Sequence, residues 1–285
     1  MPPRKPSPVG CHVPMAGNPH GIAYALQAGA EAIQVFVSNP RAWVVGKPSP
    51  VADDAFAMQC RESRLPVFVH APYLINLASP TERTREQSVV ALQHCLARGQ
   101  RFGARGIVLH AGSAVDPAHR GAATTTMREL LMPLLDALGD DAPDVLIEPT
   151  AGGGEALASS VEDLGPLFAA LELHPRLGVC LDTCHAYAAG HDLARPGGVR
   201  ATLNALVRVV GRGRLKLVHA NDSKDPLGSK RDRHMAVGAG SIGLEPFAEL
   251  FRHPATRGVP VIVETGGGVE SQGRDIALLK ELRDR

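Results

Sequence analysis

Nine side chains that can bind a metal ion stand at or just beyond the ends of apolar segments of this 285-residue chain. In chain order they are His70, His110, Glu148, Asp182, His185, His219, Asp232, His234 and Glu264. Imidazole nitrogens mixed with carboxylate oxygens suit zinc or a neighbouring transition metal, whereas magnesium and calcium sites are built almost wholly from oxygen. The pattern therefore indicates a site for several metal ions and chemistry by metal-bound hydroxide.

The elements that must position these ligands are eight short apolar, β-branched segments, each followed by a longer segment with helical spacing. The eight strand candidates are residues 9–13, 32–37, 66–70, 106–110, 144–148, 177–182, 215–219 and 259–264. Helical spacing is clear over 84–101 and 124–138. Eight β-then-α units predict a single (β/α)8 TIM barrel of parallel strands, with the active site at the C-terminal ends of the strands.

Six of the nine ligand candidates close predicted strands, so a barrel would place them in one ring: His70, His110, Glu148, Asp182, His219 and Glu264. The other three come from loops. Asp182 and His185 are three residues apart and can diverge to different ions, whereas Asp232 and His234 are two apart and would point the same way in an extended segment. The irregular insertions after strands 2, 6 and 7 are expected on the same rim.

Composition is that of a globular protein, with 44% hydrophobic and 21% charged residues and no apolar stretch near the ~20 residues of a membrane span. Residues 1–8 lack the features of a signal peptide and are interpreted as a flexible leader, with residues 9–285 forming the barrel domain. Five cysteines without CxxC spacing argue against a disulfide framework and favour a reducing cytoplasm. Cys180 and Cys184 flank Asp182 and could bind metal, but we interpret them as small buried hydrophobic residues.

A net charge of +1 does not by itself indicate a polyanionic partner. Charge is nevertheless concentrated between two ligand candidates, in Lys224, Lys230, Arg231 and Arg233. Such a cluster is ordinarily interpreted as a run of solvated surface charges. Its position beside the ligands favours contact with phosphate groups.

Six segments together resemble the signature segments of endonuclease IV, the zinc-dependent apurinic/apyrimidinic (AP) endonuclease family of DNA repair. They are residues 69–80 (VHAPYLINLASP), 109–113 (LHAGS), 147–154 (IEPTAGGG), 178–193 (GVCLDTCHAYAAGHDL), 218–243 (VHANDSKDPLGSKRDRHMAVGAGSIG) and 262–268 (IVETGGG). The segments 178–193 and 218–243 are the most specific, and the resemblance spans nearly the whole chain.

The resemblance implies three zinc ions, with manganese or iron able to replace some of them. It implies that one ion is held by His70, His110 and Glu148, a second by Glu148, Asp182, His219 and Glu264, and the third by His185, Asp232 and His234. Glu148 and Glu264 are the expected catalytic residues. The implied reaction is hydrolysis 5′ to an abasic site, leaving a 3′-hydroxyl and a 5′-deoxyribose phosphate, with trimming of blocked 3′ ends. The partner would be damaged double-stranded DNA, with no membrane or protein partner implied.

The resemblance also implies DNA contacts by Arg41, Tyr73 and Leu74, which would enter the duplex at the lesion. The basic cluster and the amides of 152–154 would bind phosphates, and His12 matches a family histidine near the site. Pro149 and Ala111 depart from the family, which has asparagine and proline there.

Two alternatives stay open. A sugar isomerase or epimerase of similar barrel shape would need one ion, and Glu148, Asp182, His219 and Glu264 would suffice to hold it. A non-catalytic DNA-lesion binder or a metal-buffering protein would need the basic rim without an open metal coordination position.

Overall fold

The computed structural model describes residues 6–14, 19–47 and 49–285. Ten strands in these residues lie between Val9 and Val263. They are β1 (Val9–His12), β2 (Ile33–Phe36), β3 (Val67–His70), β4 (Gly106–His110), β5 (Asp144–Glu148), β6 (Leu177–Asp182), β7 (Leu215–His219), β8 (Asp222–Ser223), β9 (His234–Met235) and β10 (Val261–Val263). All except β8 and β9 form one closed, parallel barrel in the order β1, β10, β7, β6, β5, β4, β3, β2. The predicted (β/α)8 barrel and its eight strands are confirmed.

Helices follow the barrel strands and cover the outside of the sheet. They are α1 (Pro19–Gln27), α2 (Pro50–Glu62), α3 (Glu82–Phe102), α4 (Arg120–Asp136), α5 (Leu164–Ala170), α6 (Thr183–Ala189), α7 (Gly198–Val210), α8 (Glu245–Arg252) and α9 (Gly268–Asp284). The helical segments predicted at 84–101 and 124–138 correspond to α3 and α4. No helix in the described part of the chain is long and apolar enough to cross a membrane.

A buried apolar layer lies directly beneath the ligands inside the barrel. Side chains of a strand alternate between its faces, so the residue two positions before each strand-end ligand points the same way. These residues, with Ala32, form a separate buried cluster: Phe68, Val108, Leu146, Cys180, Leu217 and Ile262. Glycine makes room for Leu146, because a Cβ on Gly106 or Gly178 would lie 2.6 or 2.7 Å from the leucine side chain.

A β-bulge between β6 and β7 sets the register at the mouth of the barrel. Val179 pairs with Leu215 and Cys180 with Leu217, so Lys216 is an extra residue on β7. The shift places His219 opposite Asp182. Without the extra residue Val218 would take the inward position, because a slip of one residue exchanges the two faces of a strand.

Two residues of the predicted leader, Ser7 and Pro8, contact the barrel. Residues 1–5 lie outside the described residues, but Ser7 is only 6% exposed and its hydroxyl donates to the carbonyl of Thr256 at 2.7 Å. The carbonyl of Pro8 accepts from the amide of Val261 at 2.8 Å. Ser7 and Pro8 therefore belong to the barrel, anchored at the start of β10.

Leu146→Ala should destabilise the barrel by about 2–5 kcal/mol, because the side chain is fully buried and its cavity cannot collapse around β-strand backbones. Urea unfolding at fixed metal content measures the change. Leu26→Ala is the matched control, since Leu26 is 57% exposed on α1 and its loss should cost less than about 0.5 kcal/mol. Equal costs at the two positions would contradict the layered packing.

Candidate metal centre

Glu148 lies at the centre of the predicted ligands, at the end of β5 and fully buried. Its Oε2 is 3.4 Å from Nε2 of His70 and 3.3 Å from Nε2 of His110. Its Oε1 is 2.9 Å from Nδ1 of His219 and 3.5 Å from Nδ1 of His185. Four histidines from four different elements therefore surround one carboxylate.

A second group of ligands converges on His219, the last residue of β7. Its Nδ1 lies 3.1 Å from Oε2 of Glu264 and 3.8 Å from Oδ2 of Asp182. Together with Glu148 Oε1, these atoms place three carboxylates around one imidazole nitrogen. Glu264 follows β10 directly, so its position at the barrel mouth comes from the same alternation as that of the other strand-end ligands.

The three loop ligands form a third group next to Asp182. Nε2 of His185 is 3.2 Å from Oδ2 of Asp232, and Nε2 of His234 is 3.0 Å from Oδ1 of the same carboxylate. Asp182 is the N-cap of α6, because its Oδ1 accepts from the amide of His185 at 2.9 Å. Its Oδ2 remains directed at His234, 3.5 Å away. The cap explains why residues three apart serve adjacent groups.

The spacing of these atoms is that of metal ligands. Tetrahedral ligands about 2.0–2.2 Å from a zinc ion lie roughly 3.3–3.6 Å from one another. In each of two groups, three ligand atoms lie within 4.8 Å of one another: His70, His110 and Glu148, and His185, Asp232 and His234. Glu148 Oε2, His185 Nε2 and His234 Nε2 are buried without a hydrogen-bond partner among the described residues. Lone pairs that converge without hydrogen-bond geometry fit a shared cation.

The pKa shifts at the centre also indicate that its carboxylates require nearby positive charge. Burial raises the pKa of Glu148, but the imidazoles of His219, His110 and His70 outweigh burial and hold this pKa well below its usual value. Burial lowers the pKa of His185 and His234, yet the nearby carboxylates, Asp182 first, raise these values to about 10 and about 9. Protons or metal ions must therefore neutralise the carboxylates.

Gln34 is a buried part of the centre that the sequence analysis did not identify. Its amide nitrogen donates to Oε1 of Glu264 at 2.7 Å and contacts Nδ1 of His12 at 3.0 Å. Its carbonyl oxygen accepts from Nε2 of His219 at 2.8 Å. The available signal was one amide side chain inside the apolar segment 32–37, on the inward-facing side of β2. Gln34 also connects His12 to the ligands.

The two departures from the family involve backbone groups. Nδ1 of His185 is 3.1 Å from the carbonyl of Pro149, and any residue at that position would supply this carbonyl. The amide of Ala111 donates to the carbonyl of Glu148 at 3.1 Å, which a proline could not do. Neither departure removes a ligand atom from the centre.

The predicted DNA-contacting loops lie against the ligands. Tyr73 is 47% exposed, and its ring stacks on that of His110 with centroids 5.7 Å apart and meets the edge of His70 at 5.4 Å. Its amide donates to the carbonyl of Pro40 at 3.1 Å, which joins the Tyr73 loop to the exposed Arg41. Leu74 is half-buried.

The basic cluster is partly neutralised within its own loop. Arg233 forms a two-contact ion pair with the buried Asp225, with Nε donating to Oδ2 at 2.6 Å, and Nη1 of Arg231 lies 3.7 Å from the same carboxylate. A phosphate contact by Arg233, as predicted, would require this pair to open. Lys224 and Lys230 are exposed on the same rim.

Comparison with known proteins agrees with this geometry. A family model described as a xylose isomerase-like TIM barrel matches residues 22–282. Probable endonuclease 4 of Streptomyces avermitilis is 54% identical over 281 residues, which are 98% of this chain and 91% of that protein. Endonuclease IV from Thermus thermophilus, known from a crystal structure, is 34% identical with a TM-score of 0.84, covering 99% of both chains. A D-tagatose 3-epimerase-like protein, 16% identical with a TM-score of 0.74 over 96% of this chain and 97% of its own, shares the fold alone. This chain therefore belongs to the endonuclease IV family, within the xylose isomerase-like TIM barrels.

Proposed function

We propose that this protein is a zinc-dependent DNA repair endonuclease that hydrolyses the phosphodiester 5′ to abasic sites. The products would be a 3′-hydroxyl and a 5′-deoxyribose phosphate, and trimming of blocked 3′ ends would be a related activity. The observation that carries the proposal is the convergence of all nine predicted ligands around Glu148 and Asp182. Membership of the endonuclease IV family supports it. A DNA substrate implies a cytoplasmic location near the nucleoid.

The nine residues divide into three ligand sets in this proposal. His70, His110 and Glu148 form the first, Glu148, Asp182, His219 and Glu264 the second, and His185, Asp232 and His234 the third. Zinc bound there would provide hydroxide for attack on phosphorus at neutral pH and positive charge for the departing 3′ oxygen. Manganese or iron could occupy part of the same donor set.

The ligand set itself favours an anionic substrate. Only four of the nine ligands are carboxylates, so their negative charges are fewer than the positive charges of three divalent ions. The loaded centre therefore keeps an excess positive charge that attracts a phosphodiester. Lys224 and Lys230 extend this positive potential along the rim, where they would hold neighbouring phosphates.

Lesion recognition would depend on the shape and deformability of the DNA. An abasic nucleotide has lost its stacking and pairing, so turning it out of the duplex costs less than for an intact nucleotide. Arg41, Tyr73 and the half-buried Leu74 would fill the resulting gap from adjacent loops.

A single-metal isomerase is the weaker alternative. Glu148, Asp182, His219 and Glu264 do converge and could hold one ion. Such a site gives no reason for Nε2 of His70 and of His110 to approach the second oxygen of Glu148 at 3.4 and 3.3 Å. The third group around Asp232 is equally unexplained by one ion.

Glu148→Gln should lower incision of a duplex with one tetrahydrofuran site by at least about 100-fold, because the neutral amide weakens two ligand sets at once. Chelation of wild-type metal should have the same effect, reversed by zinc. Gel electrophoresis measures incision by the variant and by the chelated wild type. Mass spectrometry measures the metal content, and we expect about three ions per wild-type chain. Glu86→Gln, on the exposed side of α3, is the matched control and should cleave as wild type.

Two outcomes would contradict the proposal. Tight binding of the lesion without a nick at any zinc or manganese concentration would leave a non-catalytic lesion binder. One metal ion per chain with ketose isomerisation would favour the sugar isomerase.

Tyr73→Ala should lower the preference for abasic over intact duplex by about tenfold, because base–aromatic contacts are worth ~1–3 kcal/mol each. Fluorescence anisotropy on matched duplexes measures the ratio. Tyr73→Phe retains the ring and should keep the preference. Metal content must be compared in both variants, since the ring also packs on His70 and His110. An unchanged ratio in Tyr73→Ala would remove the wedge role.

Gln34 is a positioning residue in this scheme. By accepting from Nε2 of His219, it holds a proton on that nitrogen and directs Nδ1 toward the carboxylates of the second set. Its amide nitrogen restrains Oε1 of Glu264, which leaves Oε2 directed at the same point. One side chain on β2 thus orients ligands from β7 and from the residue after β10.

Gln34→Met keeps the volume but removes three hydrogen bonds, so the second ligand set should bind zinc about 10–100-fold more weakly. Competition with a chromophoric chelator measures the affinity, and nitrogen chemical shifts of His219 report its tautomer. The exposed Gln27→Met is the control. Unaltered affinity with an unaltered tautomer would show that Gln34 only fills space.

A further inference from the structure

A cavity of about 620 Å³ lies at the end of the barrel opposite the metal centre. Its lining includes Arg105 and Asp144, which stand just before β4 and at the start of β5. β5 ends at Glu148, so four residue steps of about 3.3 Å place the cavity roughly 13 Å below the ligands. The cavity is therefore separate from the centre described above.

The rim of this cavity carries a local excess of positive charge. Arg105, Arg212, Lys216 and Arg257 all line it, and all four side chains are exposed. None of them forms an ion pair or a side-chain hydrogen bond with another residue of 6–14, 19–47 or 49–285. The one carboxylate in the lining, Asp144, has its Oδ1 3.4 Å from Nε of Arg176. Four cationic side chains thus line the cavity, and only one carboxylate in the lining offsets their charge.

The path of the Lys216 side chain depends on two features of the barrel. Lys216 is the extra residue of the bulge on β7, and bulges redirect side chains at barrel rims. Its Cγ lies where a Cβ on Gly178 would be only 2.6 Å away, so the glycine leaves space for the lysine stem. The lysine is exposed although Leu215 and Leu217 on either side are buried.

Apolar side chains form part of the cavity wall. Phe68, Leu215 and Val259 are buried residues that contribute to its lining, together with Pro260. Small-molecule sites typically occupy about 300–1,000 Å³ and combine apolar walls with a few polar anchors. Arginine forks and a lysine suit phosphate oxygens in particular.

We propose that the barrel-bottom cavity binds a phosphorylated small molecule with a flat apolar part, for which a nucleoside diphosphate is the appropriate probe. The four cations hold the phosphates, and the apolar lining around Phe68 accepts the ring. Asn204 lies in the same lining and offers a polar group for a ring edge. The site is independent of the proposed nuclease activity.

Isothermal titration of the zinc-loaded chain with ADP tests this site. We expect saturable binding of one ADP per chain, weakened at least about tenfold by Lys216→Met and by Arg257→Met, since each removes a charge-assisted phosphate contact. Lys47→Met is the matched control, an exposed lysine outside this cavity, and should bind as wild type. Thermal unfolding confirms that each variant is folded.

A second comparison separates this cavity from the metal centre, which could also attract phosphate. ADP binding that survives Glu148→Gln supports the barrel-bottom site, and binding abolished by Glu148→Gln overturns it. Absence of saturation at millimolar ADP, or equal affinity in wild type and Lys216→Met, also overturns it. Displacement of ADP by undamaged duplex would identify the cavity as a nucleic-acid contact and would overturn the small-molecule assignment.

Discussion

The contacts of the buried Glu148 carboxylate are the interaction on which the rest of the structure depends. Burying a charged group without partners costs several kcal/mol of free energy. Both Glu148 and Asp182 are almost completely buried. Each oxygen of Glu148 therefore faces two imidazole nitrogens, at 2.9 to 3.5 Å. Because these imidazoles come from distant parts of the chain, the centre exists only in the closed barrel. Binding of cations there stabilises the folded state, so metal affinity and folding are coupled.

The register of the strands decides which side chains reach Glu148. In parallel strands a slip of one residue turns a ligand out of the barrel and an apolar neighbour into it. β6 and β7 satisfy this requirement with the extra residue Lys216, which brings His219 opposite Asp182. The layer beneath restrains the same register, because Leu146 fits only where Gly106 and Gly178 lack side chains. The same strand register therefore determines both the packing of the core and the placement of the ligands.

The parts of this arrangement that are local in sequence could be predicted from it. Apolar, β-branched segments indicated the eight strands, six of which end in a ligand candidate, and the ends of parallel strands meet at one rim. Gln34 could not be recognised, because its role depends on partners at the ends of three other strands. The pairing of Arg233 with Asp225 and the anchoring of Ser7 on Thr256 are likewise set by tertiary contacts. α4 begins at Arg120, four residues before the predicted start, because the turn Pro117–His119 leads directly into it.

Tyr73 connects the proposed recognition of DNA with the proposed chemistry. Its ring rests on the imidazoles of His70 and His110, and its backbone is bonded to the loop that carries Arg41. A surface that enters the duplex from this position is supported by the ligands themselves. Under the proposed function, an intact base pair that blocks the Tyr73 ring also keeps the backbone away from Glu148, which His70 and His110 contact. Discrimination between abasic and intact DNA then requires no contact with a base edge. A duplex that does not deform at the Tyr73 ring cannot place its phosphate at the metal centre.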